Sequence, residues 1–207
     1  MPMRPPPFGP GRGLRRLVLR RAAHRYAARN WPVVPGAALA AGRFDCGDPG
    51  CPTIACHPAL PDWERAATND TDRITDWWRH QDHGVLLATG RSFDVLEIAG
   101  RAGRRVARAV RGPIAVAPGL RWMFLVRAGV ALAGELAEHP SVVLHRGGSW
   151  IPAPPTPLPD GRVRWVRTPE SCDWRLPGVD EVQPAALAAL TYDRQPRQVW
   201  WPQNQPV

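Results

Sequence analysis

Proline and glycine recur so often along this chain that most of it has no room for long, uninterrupted helices. The 207 residues include 25 prolines and 19 glycines. Proline removes a backbone donor and glycine costs conformational entropy, so both interrupt regular elements. The pattern predicts short elements joined by many loops, and it excludes a coiled coil or an all-helical bundle. At roughly 150 residues per domain, the length of the chain predicts one large domain, or one domain with an appendage.

The basic charge of the chain is carried by arginine alone. There are 27 basic residues, none of them lysine, and the formal net charge is +9. Nine arginines precede the first acid, Asp45, and equal this whole excess: Arg4, Arg12, Arg15, Arg16, Arg20, Arg21, Arg25, Arg29 and Arg43. Arginine, alanine and proline together are typical of a GC-rich genome. Part of the charge therefore reflects composition rather than a binding surface.

No segment of the sequence is typical of a membrane span or a secretory signal. The apolar runs are far shorter than the ~20 residues that a spanning helix needs. Near the amino terminus, residues 17–19 are followed at once by Arg20 and Arg21, so no apolar signal core forms. We expect a cytoplasmic protein without a membrane partner.

Hydrophobic periodicity predicts an α+β fold. Helices are predicted over residues 12–30, 71–81, 101–111 and 130–138 and near 183–190, with Thr71 as a helix N-cap. Strands are predicted over residues 31–35, 84–89, 93–98, 114–117, 121–127, 142–144, 149–152 and 163–166, with a loop over 36–61. Strands 84–89 and 93–98 are expected to be adjacent in one mostly antiparallel sheet with 121–126 and 142–144. Residues 1–11 are expected to be disordered, 12–191 to form the domain and 192–207 a flexible tail.

Four motifs, in a fixed order, carry a resemblance to a known family. They are an opening helix leading into Trp31-Pro32-Val33-Val34-Pro35, a segment with Trp63, Ala67-Thr68, Asp70, Ile74 and Trp77-Trp78, the strand pair 84–90 and 94–99, and the turn 146–156. The chain resembles the bifunctional DNA primase/polymerase (prim-pol) N-terminal domain family over about residues 20–170. The likeness is to a degenerate, actinobacterial type of member.

The resemblance implies an archaeo-eukaryotic primase-like, RRM-related core and DNA-directed nucleotidyl transfer. Such catalysis needs two acids at i and i+2 on one strand, a histidine on a neighbouring strand and a third carboxylate near a glycine-rich turn. Here the paired acids become Glu97 and Ala99, Arg121-Trp122 stand where the histidine is expected, and Leu144-His145 where the third acid is expected. Glu97 is the vestigial catalytic candidate. Asp94, the second candidate, is three residues away and faces the other side of a strand. Mg²⁺ or Mn²⁺ is implied only if activity is retained.

A group of cysteines with an adjacent histidine predicts a structural zinc site. Cys46, Cys51, Cys56 and His57 supply four ligands within twelve residues, and zinc prefers four thiolate or imidazole ligands. Related actinobacterial domains carry a similar loop, but Phe44 stands at its first ligand position, so Cys56 is the replacement and Cys172 a distant substitute. The alternative interpretation is a relic loop with free thiols.

Arginines predict a nucleic-acid surface. Arg101, Arg104, Arg105 and Arg108 lie along one face of a predicted helix, and Arg121 begins a strand. The functional interpretation is contact with phosphates; the alternative is a solvated face in an arginine-rich protein. His139 and His145 are expected to be surface or turn residues. Trp200 and Trp201 are candidates for stacking or partner docking.

Three functional hypotheses follow. The first is a prim-pol-like protein with degenerate catalytic motifs that binds DNA or a replication partner without efficient catalysis. The second is an active DNA primase/polymerase that uses Glu97, and the third is a zinc-stabilised protein-interaction module. The sequence has no P-loop, so priming would need a helicase in trans.

Overall fold

The structure, a computed structural model, describes residues 10–129 and 131–194. The predicted disordered segment 1–11 lies outside these residues except at its end, where the first helix begins at Pro10. The predicted tail 192–207 also lies outside them beyond Arg194, the last residue of the final helix. Trp200 and Trp201 are among the residues that are not described.

The described residues form eleven strands and six α-helices, numbered here in chain order. The strands are β1 (Val33–Ala40), β2 (Arg43–Asp45), β3 (His83–Ala88), β4 (Asp94–Ala99), β5 (Ile114–Ala117), β6 (Arg121–Val126), β7 (Val142–His145), β8 (Trp150–Pro152), β9 (Pro157–Leu158), β10 (Gly161–Arg162) and β11 (Arg164–Arg167). The helices are α1 (Pro10–Ala27), α2 (Trp63–Ala66), α3 (Thr71–Trp77), α4 (Gly100–Ala109), α5 (Gly134–Ala137) and α6 (Val179–Arg194). The predicted α+β class is confirmed.

The strands form two main antiparallel sheets and one small ribbon. The first sheet has the order β2-β1-β3-β8, and the second has the order β11-β5-β6-β4-β7. β9 and β10 form the two-stranded ribbon. Every strand pair among the described residues is antiparallel. In the second sheet, β4 is central between β6 and β7, so any side chain in its middle lies between two partner strands.

The prediction of one sheet containing residues 84–89 and 93–98 is wrong. β3 pairs with β1 and β8 in the first sheet, whereas β4 pairs with β6 and β7 in the second. The short turn between them therefore carries the chain from one sheet to the other, with Gly90 in the left-handed region at φ +96°. Both strands are buried along nearly their whole length. Strands buried on both faces lack the polar alternation that separates a hairpin from two internal strands.

The main hydrophobic core lies between the two sheets. Side chains of β1, β3 and β8 from the first sheet meet side chains of β4, β5 and β6 from the second, and α1 and α3 contribute to the same cluster: Leu19, Tyr26, Val33, Ile74, Trp78, Val85, Leu87, Val95, Met123, Leu125 and Ile151 are among its members. Burial at roughly 25 cal/mol per Å² makes this contact the main source of stability. Because strand side chains alternate, the same strands send their other residues outward into separate clusters.

A second cluster covers the opposite face of the second sheet. Leu96, Ile98 and Phe124 pack against α4, α5 and α6 there, with Ala102, Val106, Leu136 and Val182 among the helical residues. α4 agrees closely with the predicted helix 101–111. The helix predicted over 130–138 is only the short α5, and the helix predicted near 183–190 is the much longer α6.

Two local predictions in the first half of the chain are also corrected. β1 runs on to Ala40 and returns as β2, so part of the predicted loop 36–61 is a hairpin. The register of β1 with β3 shifts between Gly36 and Ala38, which marks a β-bulge just after Pro35. α3 ends at Trp77 rather than 81, and its N-cap is Asp70, whose carboxylate accepts from the backbone N–H groups of Asp72 and Arg73.

None of the helices in the described part of the chain is long and apolar enough to cross a membrane.

We expect Tyr26→Phe to destabilise the fold. The hydroxyl of this fully buried tyrosine donates to the carbonyl of Pro154 at 2.6 Å and accepts from the indole N–H of Trp165 at 3.1 Å. Burial raises the pKa of Tyr26 to about 12. Loss of the hydroxyl leaves both partners unpaired, so the free energy of unfolding should fall by about 1–3 kcal/mol in urea denaturation. Tyr192→Phe, at an exposed tyrosine, is the control and should change little. Equal losses in both variants would contradict this prediction.

Candidate functional site

Strand register places three polar side chains together on the inner face of the second sheet. Glu97, in the middle of β4, lies opposite Met123 of β6 and Val143 of β7. Arg121 and His145 are each two residues from those partners, so they share the face of Glu97 at diagonal positions. Arg121 lies directly opposite Ala99, whose methyl group leaves room for a long side chain.

These side chains form a continuous hydrogen-bonded network. Arg121 donates from Nε to Oε1 of Glu97 at 2.6 Å and from Nη2 to Oε2 at 2.9 Å. Nε2 of His145 lies 3.1 Å from the same Oε2, and Nδ1 of His145 lies 2.9 Å from Oγ of Ser149. The Glu97 side chain is 8% exposed and that of His145 14%, while the Arg121 side chain is 57% exposed. The carboxylate is thus buried beneath a guanidinium that reaches solvent.

Two opposing effects act on the pKa of Glu97. Burial raises it, because a charged carboxylate loses its hydration. The hydrogen bonds from His145 and Arg121, together with the positive charge of Arg121, outweigh burial and hold the pKa of Glu97 below its ordinary value. The carboxylate is therefore ionised at neutral pH and already has its counter-charge.

The network forms the polar wall of a cavity of about 520 Å³. Its other walls are largely apolar. The cavity is lined by Phe44, Ile54, Cys56, Met123, Trp150 and Leu158, together with Glu97, Arg121, His145 and Ser149, and Asp160 lies at its exposed edge. A cavity of this size and mixed lining suits a small organic molecule or one nucleotide-sized group.

Asp94, the second acidic candidate, lies on the other face of β4 and does not line this cavity. Its side chain is almost fully buried; Oδ2 accepts from the backbone N–H of Gly129 at 2.9 Å, and Oδ1 has no partner among the described residues. Asp94 and Glu97 therefore face opposite sides of β4, as predicted. Asp94, the first residue of β4, ties this strand to the loop after β6, and the structure does not bring it to Glu97.

The predicted arginine face on α4 is largely exposed. Arg101, Arg104 and Arg108 are open to solvent, whereas Arg105 is half-buried with its guanidinium 4.1 Å from the ring centre of Tyr192. α4 covers the opposite face of the second sheet from Glu97. These arginines and Arg121 therefore belong to two surfaces rather than one.

A second cavity connects those surfaces around the edge of the sheet. It has a volume of about 710 Å³ and is lined by Arg104, Arg162 and Arg164 together with Trp165. Pro118 and Asp160 line both this cavity and the one at Glu97. Exposed guanidinium groups next to an indole ring form a surface that suits phosphates and bases. Sequence analysis missed Arg162, because the two-residue strand β10 gives no periodic signal, and it gave Arg164 no role although the residue lies in the predicted strand 163–166.

Cys46, Cys51 and His57 come together in the loop after β2. One ligand atom from each lies within 4.8 Å of the others, and Sγ of Cys51 is 3.5 Å from Nε2 of His57. Nδ1 of His57 donates to the carbonyl of Ala55 at 2.7 Å, which leaves the lone pair of Nε2 free for a metal. A backbone hydrogen bond from Thr53 lowers the pKa of Cys51 and favours its thiolate. The group has the chemistry to hold a metal ion.

The structure does not bring Cys56 into this group. Cys56 packs with Trp63 and Trp150 against the outer face of the first sheet, and burial raises the pKa of its thiol to about 12. Cys172 lies elsewhere, beside a cavity formed with α4 and α6. The fourth position of a metal at Cys46, Cys51 and His57 has no ligand from either cysteine here.

Sequence analysis missed His145 and Ser149 as site residues. His145 is a side chain at the end of a strand, and it is half-buried rather than a surface or turn residue. Ser149 follows in the next turn and had no role assigned. The signal that could have found His145 is its position in the motif. It stands where the resemblance implies the third carboxylate of the site, so its side chain is expected to lie near Glu97.

A protein-family model described as bifunctional DNA primase/polymerase, N-terminal, matches residues 23–188. Among the curated proteins and among the solved structures, none matches the chain at a significant level. The family match extends over both sheets and over all the residues that line the cavity at Glu97.

Arg121→Met should weaken the fold in a pH-dependent way. The depressed pKa of Glu97 contributes stability that is fully present above the ordinary carboxyl pKa and is lost as the pH falls through the folded-state value. Without Arg121 that contribution shrinks, so the free energy of unfolding should drop by about 1–2 kcal/mol at neutral pH and by less in acid. Urea denaturation at pH 7 and pH 4 measures both values. Arg104→Met, at an exposed arginine, is the control; a loss that does not change with pH would contradict this assignment.

Proposed function

The chain belongs to the bifunctional DNA primase/polymerase N-terminal family, and from that membership we propose that it binds DNA in a replication context without efficient nucleotidyl transfer. The observation that supports this proposal is the ion pair between Glu97 and Arg121. A fixed guanidinium lies where a catalytic carboxylate would otherwise face a divalent ion.

Metal-dependent nucleotidyl transfer requires carboxylates that remain free to share two divalent ions. Here Glu97 has both oxygens bonded to Arg121 and one also to His145. Ala99 supplies no second carboxylate on the same face, and among the described residues the only other acid lining the cavity is the exposed Asp160. A Mg²⁺ ion would have to displace Arg121 and complete its octahedron with water and substrate.

The proposed DNA surface is the basic edge around the second cavity. Arg104, Arg162 and Arg164 can contact successive phosphates, while Trp165 and the half-exposed Leu120 offer apolar contact to sugars or bases. Arg101 and Arg108 extend the positive charge along α4. Affinity at such a surface comes mainly from counterion release and falls steeply with salt.

An active primase/polymerase is the second candidate, favoured by one observation. Glu97 keeps its negative charge and lines a cavity large enough for a nucleotide-sized group. If substrate phosphates draw Arg121 away from Glu97, the carboxylate becomes free for Mg²⁺ or Mn²⁺. Such an enzyme would act with a replication protein or with a helicase in trans.

We further propose that Cys46, Cys51 and His57 hold zinc. Two thiolates and one imidazole are a zinc ligand set, and the hydrogen bond from His57 to Ala55 fixes the required tautomer. Zinc would tie the loop after β2 to the first sheet, and reduced thiols fit the cytoplasmic location expected from the sequence. A zinc-stabilised interaction module remains the reading to adopt if DNA binding is absent.

We expect no template-dependent nucleotide incorporation above background with Mg²⁺ or Mn²⁺. Primer extension with a labelled template measures it, and an inactive heat-treated sample sets the background. Robust incorporation that is abolished by Glu97→Ala would replace the proposed function by the active-enzyme alternative.

Binding to single-stranded or duplex DNA should be detectable at low salt and weaken as salt rises. Replacing Arg101, Arg104 and Arg108 together by Ala should reduce the slope of log affinity against log salt by up to about three, one for each lost phosphate contact. Arg105 is left in place because it packs on Tyr192. The matched control replaces three exposed arginines elsewhere, Arg43, Arg65 and Arg91, with the same loss of charge. Equal slopes in the two triple variants would show that only net charge acts.

Purified protein should contain about one zinc per chain by elemental analysis. Cys51→Ser should lose the metal, whereas Cys56→Ser and Cys172→Ser should retain it, because neither Cys56 nor Cys172 lies in the three-residue group. Chelation should lower the thermal midpoint of the wild type and leave that of Cys51→Ser unchanged. Metal-free protein, or equal zinc in all three variants, would contradict the site.

A further inference from the structure

A chain of hydrogen bonds in the Glu97 cavity ends on Ser149, a residue with no part in the function proposed above. It runs from the Ser149 hydroxyl to Nδ1 of His145 at 2.9 Å and from Nε2 of His145 to Glu97 at 3.1 Å. A serine, a histidine that contacts it and an acid that orients the histidine are the three parts of an activated nucleophile. All three side chains line the same cavity.

The partners of Glu97 determine which nitrogen of His145 carries the proton. Glu97 accepts two hydrogen bonds from Arg121, so its carboxylate offers only acceptors to His145. Nε2 must then donate to Oε2, and in the neutral imidazole this leaves Nδ1 with the lone pair that faces the Ser149 hydroxyl. This tautomer is the one in which the imidazole can accept the serine proton. Arg121 therefore orients the acid, the acid orients the base, and the base faces the nucleophile.

The backbone holds Ser149 firmly in this position. Its N–H donates to the carbonyl of Arg146 in a tight turn, and its own carbonyl accepts from the N–H of Thr89 at 3.0 Å. The Thr89 hydroxyl also donates to the carbonyl of Arg146 at 2.6 Å. A Cβ on Gly90 would lie 2.3 Å from the amide nitrogen of Gly147, so only glycine allows the turn to pack this closely. A nucleophile on such a support keeps its geometry without help from substrate.

A donor for a developing oxyanion is available next to the serine. The amide of Gly148 immediately precedes Ser149 on exposed backbone that lines the cavity, and none of the hydrogen bonds found in the described residues uses it. Gly148 has φ +79°, a conformation that turns the amides of this segment away from regular pairing. Backbone amides beside a nucleophile can stabilise negative charge on a tetrahedral intermediate.

We propose that Ser149 is a nucleophile activated by His145, and that the cavity hydrolyses small carboxylic esters. The acyl group is chosen by the apolar walls, which include Phe44, Ile54 and Met123. This activity requires neither metal nor DNA and is independent of the function proposed above.

The reaction balances with water as its only co-reactant. Oγ of Ser149 attacks the ester carbonyl while its proton passes to Nδ1 of His145. The carbon–oxygen bond to the alcohol breaks, and the alcohol leaves with that proton, so an acyl-serine remains. Water then attacks the acyl-serine with His145 again taking a proton, which returns to Oγ as the carboxylic acid is released. Glu97 is a positioning residue, because it contacts only His145 and Arg121 among these groups.

The test uses the full chain with two probes, a fluorophosphonate that labels activated serines and p-nitrophenyl acetate. We expect the fluorophosphonate adduct to map to Ser149 by peptide mass analysis, and ester hydrolysis to exceed the uncatalysed rate. Ser149→Ala should lose both signals. Ser171→Ala is the matched control, because this exposed serine bonds to Thr168 outside the cavity. His145→Gln should lower the hydrolysis rate by about 100-fold or more.

Glu97→Gln separates positioning from simple structural support. It keeps the shape of the side chain and an acceptor oxygen, so kcat should fall while KM stays near the wild-type value. Thermal midpoints of all variants are measured alongside, and adduct mapping on the wild type decides the question if a variant is unfolded. An adduct on Cys56 or on no residue, or equal hydrolysis by Ser149→Ala and wild type, overturns the proposal. Nucleotide incorporation would overturn only the function proposed above.

Discussion

One buried carboxylate, that of Glu97, constrains the arrangement around the centre of the second sheet. An ionised carboxylate in such a place costs several kcal/mol unless it is paired and hydrogen-bonded. β4 is flanked on both sides, so the compensation has to come from its two neighbours, and it does: Arg121 from β6 and His145 from β7. Ala99, directly opposite Arg121, is small enough to leave room for the arginine side chain to reach Glu97. Glu97, Arg121 and His145 act as a unit, because the strand register brings them together and both partners hydrogen-bond the same carboxylate.

The packing of the two sheets determines which part of the Glu97–Arg121–His145 network reaches solvent. The apolar core fills the space between the sheets along most of their length, but near Glu97 the contacts give way to a cavity with Trp150 of the first sheet on one side. The polar network is thus solvent-accessible through Arg121 while Glu97 itself stays buried. The same edge carries Arg104, Arg162 and Arg164 around Pro118. The proposed DNA surface and the proposed ester cavity therefore adjoin each other but use different residues.

Sequence analysis predicted local elements better than their partners. The positions of α1, α3, α4, β5 and β6 follow from periodicity, since each presents one apolar face or a short buried run. Pairing of β3 with β4 was predicted wrongly, because a short turn between two buried strands is equally compatible with a hairpin and with a crossing between sheets. The family was found from ordered motifs and is confirmed by the match over residues 23–188. In the site, Glu97 was a candidate through its motif. The contact of His145 with Glu97 depends on the cross-strand register, and the contact of Ser149 with His145 depends on the turn after β7, so neither could be predicted from local sequence.

Arginine differs from a divalent ion in being permanent. A bound metal depends on its concentration and leaves carboxylate oxygens free to exchange ligands, whereas a guanidinium stays charged at all relevant pH values and is tethered by its own strand. The fold itself therefore balances the negative charge of Glu97, through its ion pair with Arg121. It also sets the direction of the hydrogen bond from His145, because an ionised carboxylate carries no proton and can only accept from Nε2 of the imidazole. The same arrangement leaves a histidine that contacts Ser149, and this pair is the one on which the proposed ester hydrolysis rests.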